Sequence, residues 1–239
     1  MNIFSVDTST EAMHLCLAMG DEDTPLASFE SRTFNCGWQH SEHLVVQMLE
    51  MCHQNNLEFK DLQLLVCSRG PGSFTGLRIG MSALKGIALA GNIPLVSIPT
   101  MEAISTAVGF FDGPIIPVID AKKQRYYSAI FLRGQRLSPD MDCEGQEIVK
   151  LLEGEPQALV TGPDSASFAP LLSSYKGRLF VDPLRYRDIS QTLVTLGVSS
   201  YKANGPDDIG IGPVYVRKSD AEIALQQKIK KMEEPHGCV

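Results

Sequence analysis

A glycine-dense turn set between an apolar run and a helical pattern constrains this chain more than any other feature. Leu64-Leu65-Val66-Cys67 leads into Arg69-Gly70-Pro71-Gly72-Ser73-Phe74-Thr75-Gly76-Leu77-Arg78-Ile79-Gly80. The apolar run reads as a buried strand, and the residues after Ser73 read as a helix. Glycine carries no side chain, so the backbone of such a turn can come close to another surface. The first N–H groups of a helix are unpaired and favour an anion or the acceptor of a neighbour. The chain is therefore expected to build a strand–turn–helix unit whose tight turn can approach another surface.

Three catalytic readings fail on residues. A P-loop ends in lysine followed by Ser or Thr, whereas Leu77-Arg78 follow Gly76. The dinucleotide fingerprint needs glycine at its sixth position, where Thr75 stands, and no acidic residue follows the next strand at the expected distance. The nucleophile elbow G-x-S-x-G is absent, since Pro71 and Thr75 stand two residues either side of Ser73. Ser73 is better read as a helix N-cap.

The helix carries two rows of small residues: Gly76, Gly80 and Ala83, and then Ser82, Gly86 and Ala90. A glycine inside a helix costs about 1 kcal/mol relative to alanine, so glycines at 76, 80 and 86 imply a return from close packing. One row meets this chain's own sheet, or one meets a partner helix; the pattern alone allows both. Arg69 and Arg78 flank the turn and suit a phosphate or a partner carboxylate as well as a solvated rim.

With 239 residues, 44% of them hydrophobic, the chain can form one large domain or two lobes. A net charge of −7 without a basic block argues against autonomous nucleic-acid binding. Cysteines at 16, 36, 52, 67, 143 and 238 form no C-x-x-C and read as reduced thiols of a cytoplasmic protein. The N-terminus lacks a signal-peptide pattern, and no stretch reaches the roughly 20 apolar residues of a membrane helix.

Strands are expected at 3–6, 14–19, 26–31, 62–68 and 93–98, with a helix starting at Ser41 and another after the glycine turn. A second series follows: a helix at 101–108, strands at 115–119, 126–132, 158–161 and 179–181, and helices at 146–152, from about 164 to 173, at 189–202 and at 219–233. Asp7 ends the first strand of one half and Asp120 the first strand of the other. Two α/β lobes of one plan are expected: 1–99, 100–218, then a C-terminal helix and tail over 219–239.

Asp7-Thr8-Ser9-Thr10, Gln39-His40-Ser41-Glu42, the whole of Arg69 to Gly80, Asp120-Ala121 with Tyr126-Tyr127, and Pro213-Val214-Tyr215-Val216-Arg217 occur in this order. Together they resemble the TsaB (YeaZ) family over nearly the whole chain. The resemblance implies a two-lobed actin-like, sugar-kinase and heat-shock ATPase fold. It implies a factor for threonylcarbamoyladenosine, the modified adenosine beside the anticodon of tRNAs reading codons that begin with A. It further implies a non-catalytic subunit that stabilises a catalytic partner, TsaD, with an ATPase, TsaE, joining them. Self-pairing through the same helical surface, and contact with tRNA only through the complex, also follow from it.

On that basis the expected partner surface comprises Trp38, His40, Leu44, Val45, Met48, Phe74, Gly76, Leu77, Gly80 and Ala83. Leu44, Val45, Met48 and Leu49 form an apolar stripe too broad for one helix to hide against one sheet. The rival function is a nucleotide-hydrolysing or phosphotransfer enzyme of the same fold. Its turn would be Asp7, Thr8 and Thr10, whose hydroxyls and N–H groups would take an ATP or ADP phosphate. That turn has no glycine, and its side chains suffice to satisfy local backbone donors. No other cofactor is expected. His40 and His43 lack a third ligand, and Ser41 and Glu42 suit the start of a helix without any metal.

Overall fold

The computed structural model describes residues 1–21, 23–35, 37 and 39–217. Trp38, Cys36, Cys238 and the helix expected over 219–233 lie outside the described residues.

The first sheet contains β1 (Asn2–Asp7), β2 (Ala12–Met19), β3 (Ser28–Asn35), β4 (Leu64–Ser68) and β5 (Leu95–Ile98), in the order β3-β2-β1-β4-β5. β1 pairs antiparallel with β2 and parallel with β4. Both faces are covered, which is why these strands read as continuous apolar runs. Phe4, Val6, Leu15, Leu17, Leu65 and Cys67 face α1 (His40–Gln54) and α2 (Phe74–Gly91). Ile3, Cys16, Ala18, Leu64 and Val66 lie in a second core with α3 (Thr100–Thr106) and α6 (Ser190–Asn204).

The second sheet repeats the plan. β6 (Ile115–Asp120), β7 (Tyr126–Ser128), β10 (Met141–Cys143), β11 (Gln157–Thr161) and β12 (Arg178–Val181) are ordered β10-β7-β6-β11-β12. The short strands β8 (Phe131–Leu132) and β9 (Gln135–Arg136) extend it beside β6. Ile115, Ile119 and Leu159 join the core that holds α3 and α6, while Ile116, Val118 and Val160 face α4 (Gly145–Leu151) and α5 (Ser165–Phe168). The result is five layers, α/β/α/β/α, with an apolar core continuous from one sheet to the other.

Four expectations need correction. The second lobe does not run intact to 218. Its sheet ends at Val181, and α6 returns to cover β1, β2, β4 and β5. Gly197 makes that approach close: a Cβ there would stand 2.5 Å from Val66 Cγ2. The chain beyond α6 runs along the first lobe, with Asp207 N–H donating to Leu95 O and Val214 N–H to Arg69 O, until Arg217 reaches Ala121 O of the second lobe at 3.3 Å. The strand expected at 126–132 is split at Ala129-Ile130, where Ile130 N–H turns to Ser138 Oγ. The helix expected to end near 173 is α5 followed by a 3-10 turn, Ala169–Leu172, because Pro170 offers no N–H. β3 pairs with β2 along its full length, from Met19 opposite Ser28 to Ala12 opposite Asn35. Its charged residues Glu30 and Arg32 belong to a half-exposed edge, so apolar patterning understated it.

The crossing from β12 to α6 is tightly bonded. Asp182 accepts from Arg187 at 2.7 and 2.8 Å, from Thr161 Oγ1 at 2.8 Å and from Leu184 N–H at 3.1 Å. Burial opposes the charge of Asp182, yet these donors outweigh it and hold the carboxyl below its usual range. Cys16, Cys52, Cys67 and Cys143 are free and buried. Burial pushes the thiols of Cys16, Cys67 and Cys143 up to about 12 and that of Cys52 to about 11, so they stay protonated at neutral pH.

Candidate partner-facing surface and interlobe cleft

The turn after β1 is packed onto the inner face of α2. Thr8 Oγ1 donates to Gly76 O at 2.8 Å, and Ser73 N–H donates to Ser9 O at 2.6 Å. A Cβ on Gly72 would stand 2.4 Å from Ser9 O, one on Gly76 2.0 Å from Thr8 O, and one on Gly80 2.3 Å from Thr8 Oγ1. Three glycines at four-residue spacing thus form the groove in which the turn lies. Gly70 is also required: its φ is +106°, and a Cβ there would meet Val214 O at 2.5 Å. Ser73 caps α2 as expected, accepting from Gly76 N–H at 3.2 Å.

Gly86 differs. A Cβ there would meet no atom within 4 Å. It belongs to the outer row of α2, where Phe74, Arg78, Ser82, Gly86 and Ala90 recur every four residues and all are exposed. At the start of that row Arg78 lies 3.9 Å from the centroid of Phe74 and donates to Tyr215 Oη at 2.9 Å, while Phe74 and Tyr215 stand 4.6 Å apart. Val45, Val46 and Leu49 of the neighbouring helix α1 are exposed as well, and Leu89 is 68% exposed.

The expected partner residues therefore divide. His40, Leu44, Met48, Gly76, Leu77 and Gly80 are buried within the chain and cannot touch a partner. His40 Nε2–H donates to Thr10 O at 2.8 Å, which ties α1 to the same turn. Ala83 is half-buried against the core under α1 and α2. Val45 and Phe74 remain at the surface. The residues that sequence reasoning left out are Leu89, which falls between the small rows, and Tyr215, whose contact with α2 spans 141 positions of sequence and has no local signal.

A cavity of about 300 Å³ separates the two lobes. Ser9, Thr10, Glu11 and Gly72 to Thr75 line one side, and Asp120, Lys122, Tyr127, Asp164, Arg185 and Tyr186 the other. Of the residues expected to take a phosphate, Thr10 lines this cavity and Asp7 and Thr8 do not. Asp7 is fully buried and turned away, accepting from Ser68 Oγ at 2.5 Å and Ser9 N–H at 3.0 Å, with His14 Nδ1 3.3 Å distant. Burial opposes its charge, but His14, Ser68 and Ser9 together hold its carboxyl below the usual range. Thr8 and Thr10 spend their hydroxyls on Gly76 O and Ala12 O. The side chains of Asp7, Thr8 and Thr10 are thus all engaged within the chain, as a joint at the end of β1. Across the cavity Lys122 pairs with Asp120 at 3.1 Å and Arg185 faces Glu11 at 3.7 Å, so its cations are already opposed by carboxylates. His40 is buried and His43 exposed, so they do not converge, and no three metal-ligating side chains cluster among the described residues.

Two sheets of identical order, a shared helical layer between them and a cleft at the ends of their central strands define the actin, sugar-kinase and heat-shock ATPase class. The activator of 2-hydroxyisocaproyl-CoA dehydratase from Clostridium difficile, solved with bound ADPNP, shares this fold with a TM-score of 0.50 at 10% identity, over 85% of this chain and 96% of that one. Residues 35–155, half of the chain, match the family described as "TsaD: tRNA N6-adenosine threonylcarbamoyltransferase". The tRNA threonylcarbamoyladenosine biosynthesis protein TsaB of Bacillus subtilis is 25% identical over 93% of this chain and 96% of its own length. YeaZ from Pseudomonas aeruginosa superposes with a TM-score of 0.70 at 17% identity, over 90% of this chain and 99% of that one. The chain belongs to the TsaB (YeaZ) family within this TsaD-related group.

Proposed function

We propose that the chain is the non-catalytic subunit for threonylcarbamoylation of the adenosine beside the anticodon in tRNAs reading codons that begin with A. It binds a TsaD-like catalytic subunit and holds it in its active arrangement in the cytoplasm. A TsaE-like ATPase joins the pair, and tRNA is met only through the assembly. Without its partner the chain pairs with a second copy through the same surface.

The observation that carries this reading is Gly86. A helical glycine costs about 1 kcal/mol, and Gly76 and Gly80 recover such a cost against Thr8. Gly86 recovers nothing inside the monomer, because the space beside it is open. A partner helix laid along the outer face of α2 would supply the missing contact. Val45 and Leu49 of α1 and Leu89 of α2 add exposed apolar side chains on the same two helices, and Arg78 and Tyr215, packed with Phe74, are residue types enriched at binding hot spots.

The test is Gly86→Leu, titrated against the TsaD-like subunit of the same organism. Affinity is expected to fall by about tenfold or more, the size of a lost interface contact of 1.4 kcal/mol. The isolated variant is expected to stay folded. Unchanged affinity would overturn the assignment of this face.

A further inference from the structure

The same helix has a second face whose contacts bear on partner binding from inside. β1 is the central strand of the first sheet, fixed on both sides by β2 and β4. Thr8 is the first residue beyond it and is 2% exposed. Its hydroxyl reaches Gly76 O at 2.8 Å, and its Oγ1, Cβ and Cγ2 lie 2.3, 3.4 and 3.5 Å from where a Cβ of Gly80 would be. One turn earlier, Ser73 N–H is bonded to Ser9 O at 2.6 Å. The carbonyl of a residue inside a helix already accepts from the N–H four positions on. The bond from Thr8 therefore satisfies no orphan of α2; what it does is fix the helix, in height and rotation, against the centre of the sheet.

We infer that Thr8 is a positioning residue for the partner surface: through Gly76 and Gly80 it sets where the outer row Phe74, Arg78, Ser82 and Gly86 is presented. This rests on the reading that the outer face of α2 meets the TsaD-like subunit. Thr8 touches no partner itself. Its influence is on the state of the helix that binds, so the coupling follows from how well the free chain is arranged for docking.

The experiment measures affinity for the TsaD-like subunit in Thr8→Val, Thr8→Ser and Gly86→Leu, each checked by thermal unfolding. Thr8→Val keeps the shape and removes the hydroxyl; affinity is expected to fall about fivefold, the equivalent of one hydrogen bond. Thr8→Ser restores the hydroxyl and is expected to bind within about twofold of wild type, a rescue that general loosening of the core would not produce. Should Thr8→Val fail to fold, Gly80→Ala presses on Thr8 from the helix side and is expected to lower affinity likewise. If Gly86→Leu weakens binding but the Thr8 and Gly80 variants bind as wild type, the positioning role is overturned and the proposed surface stands. If Gly86→Leu also binds normally, the surface itself is wrong and the inference falls with it.

Discussion

The two lobes place an acidic residue at the same point, the end of the central strand, and treat it in opposite ways. Asp7 is fully buried among Ser9, His14 and Ser68, and the turn it begins is seated in the glycine groove of α2. Asp120 leaves about a third of its side chain exposed and accepts from Lys122 N–H at 2.7 Å and Lys122 Nζ at 3.1 Å. Its turn bends through Lys122, Lys123 and Gln124, with φ of +63°, +59° and +61°. Three successive non-glycine residues in the left-handed region make a strained turn. A cleft that processes a phosphoanhydride needs both of its turns free to approach the ligand. Here one turn has become a joint between sheet and helix with its carboxylate buried, while the carboxylate of the other lines the cavity. The difference teaches that duplication preserved the frame while the first lobe committed its turn to holding α2.

The largest expected effect separates these two carboxylates. Asp7→Ala strands Ser68 Oγ, Ser9 N–H and the His14 ring without their buried partner, and should cost about 3 kcal/mol in urea unfolding. Asp120→Ala removes a half-exposed pair and should cost less than about 1 kcal/mol. Because the carboxyl of Asp7 is depressed in the folded chain, its contribution is complete above its unfolded value of 3.8 and is lost as pH falls through the lower folded value. The gap between wild type and Asp7→Ala should accordingly be flat near neutrality and narrow only below about pH 4. Equal costs for the two substitutions would break the contrast between joint and open turn.

The strand–turn–helix unit was legible because glycine spacing of four in a helix has few explanations other than close approach. The repeat of the lobes was legible from Asp7 and Asp120, each ending an apolar run. Cap formation by Ser73 was also readable, since its chemistry is local. The side taken by each residue of α1 was not. A helical period identifies a stripe containing Leu44, Val45, Met48 and Leu49, but not which of them the chain covers itself; the sheet takes Leu44 and Met48 and leaves Val45 and Leu49 outside. The return of α6 to the first sheet was hidden for a similar reason. Nothing near Ser190 signals that its carbonyl will accept from Ser5 Oγ, 185 residues away. The bond network of Asp182 and Arg187 depends on the same crossing and has no local signature either.

A smaller effect tests the division within α2. Gly76→Ala places a carbon 2.0 Å from Thr8 O, a backbone atom at the end of a central strand that cannot retreat freely. Overpacking of this kind should destabilise the isolated chain by about 2 kcal/mol. Gly86→Ala meets nothing and only removes backbone freedom from the unfolded chain, so it should stabilise by up to about 1 kcal/mol. Opposite signs from the same substitution, ten positions apart, would sharpen the view of an inner face that packs and an outer face kept open. A loss of stability in Gly86→Ala would instead mean that the outer row is already packed within the monomer.

The smallest effect lies where the two lobes are most alike. Each fourth strand of the plan is followed by Gly-Pro, Gly70-Pro71 after β4 and Gly162-Pro163 after β11, and both glycines have a positive φ, +106° and +100°. In each lobe the residues just beyond secure the turn of the central strand, but with different chemistry. Ser73 does so with a backbone N–H, whereas Asp164 uses a carboxylate, accepting from Asp120 N–H at 2.7 Å. Burial raises the carboxyl of Asp164 above its ordinary value, and the neighbouring charge of Asp120 adds to this although the hydrogen bond opposes it. A carboxyl raised on folding works against the folded state wherever it must ionise, at pH above its folded value, and not at all once both states are protonated. Asp164→Asn keeps an acceptor for Asp120 N–H and removes the charge. Its melting temperature should exceed that of wild type slightly at pH 7, and the two should converge near pH 3. A variant less stable than wild type at pH 7 would mean that the ionised carboxylate, with Lys122 and Arg185 on the same wall of the cavity, contributes more by attraction than it loses by burial, and the cleft of the second lobe would then be a charge-organised site and not a residual gap.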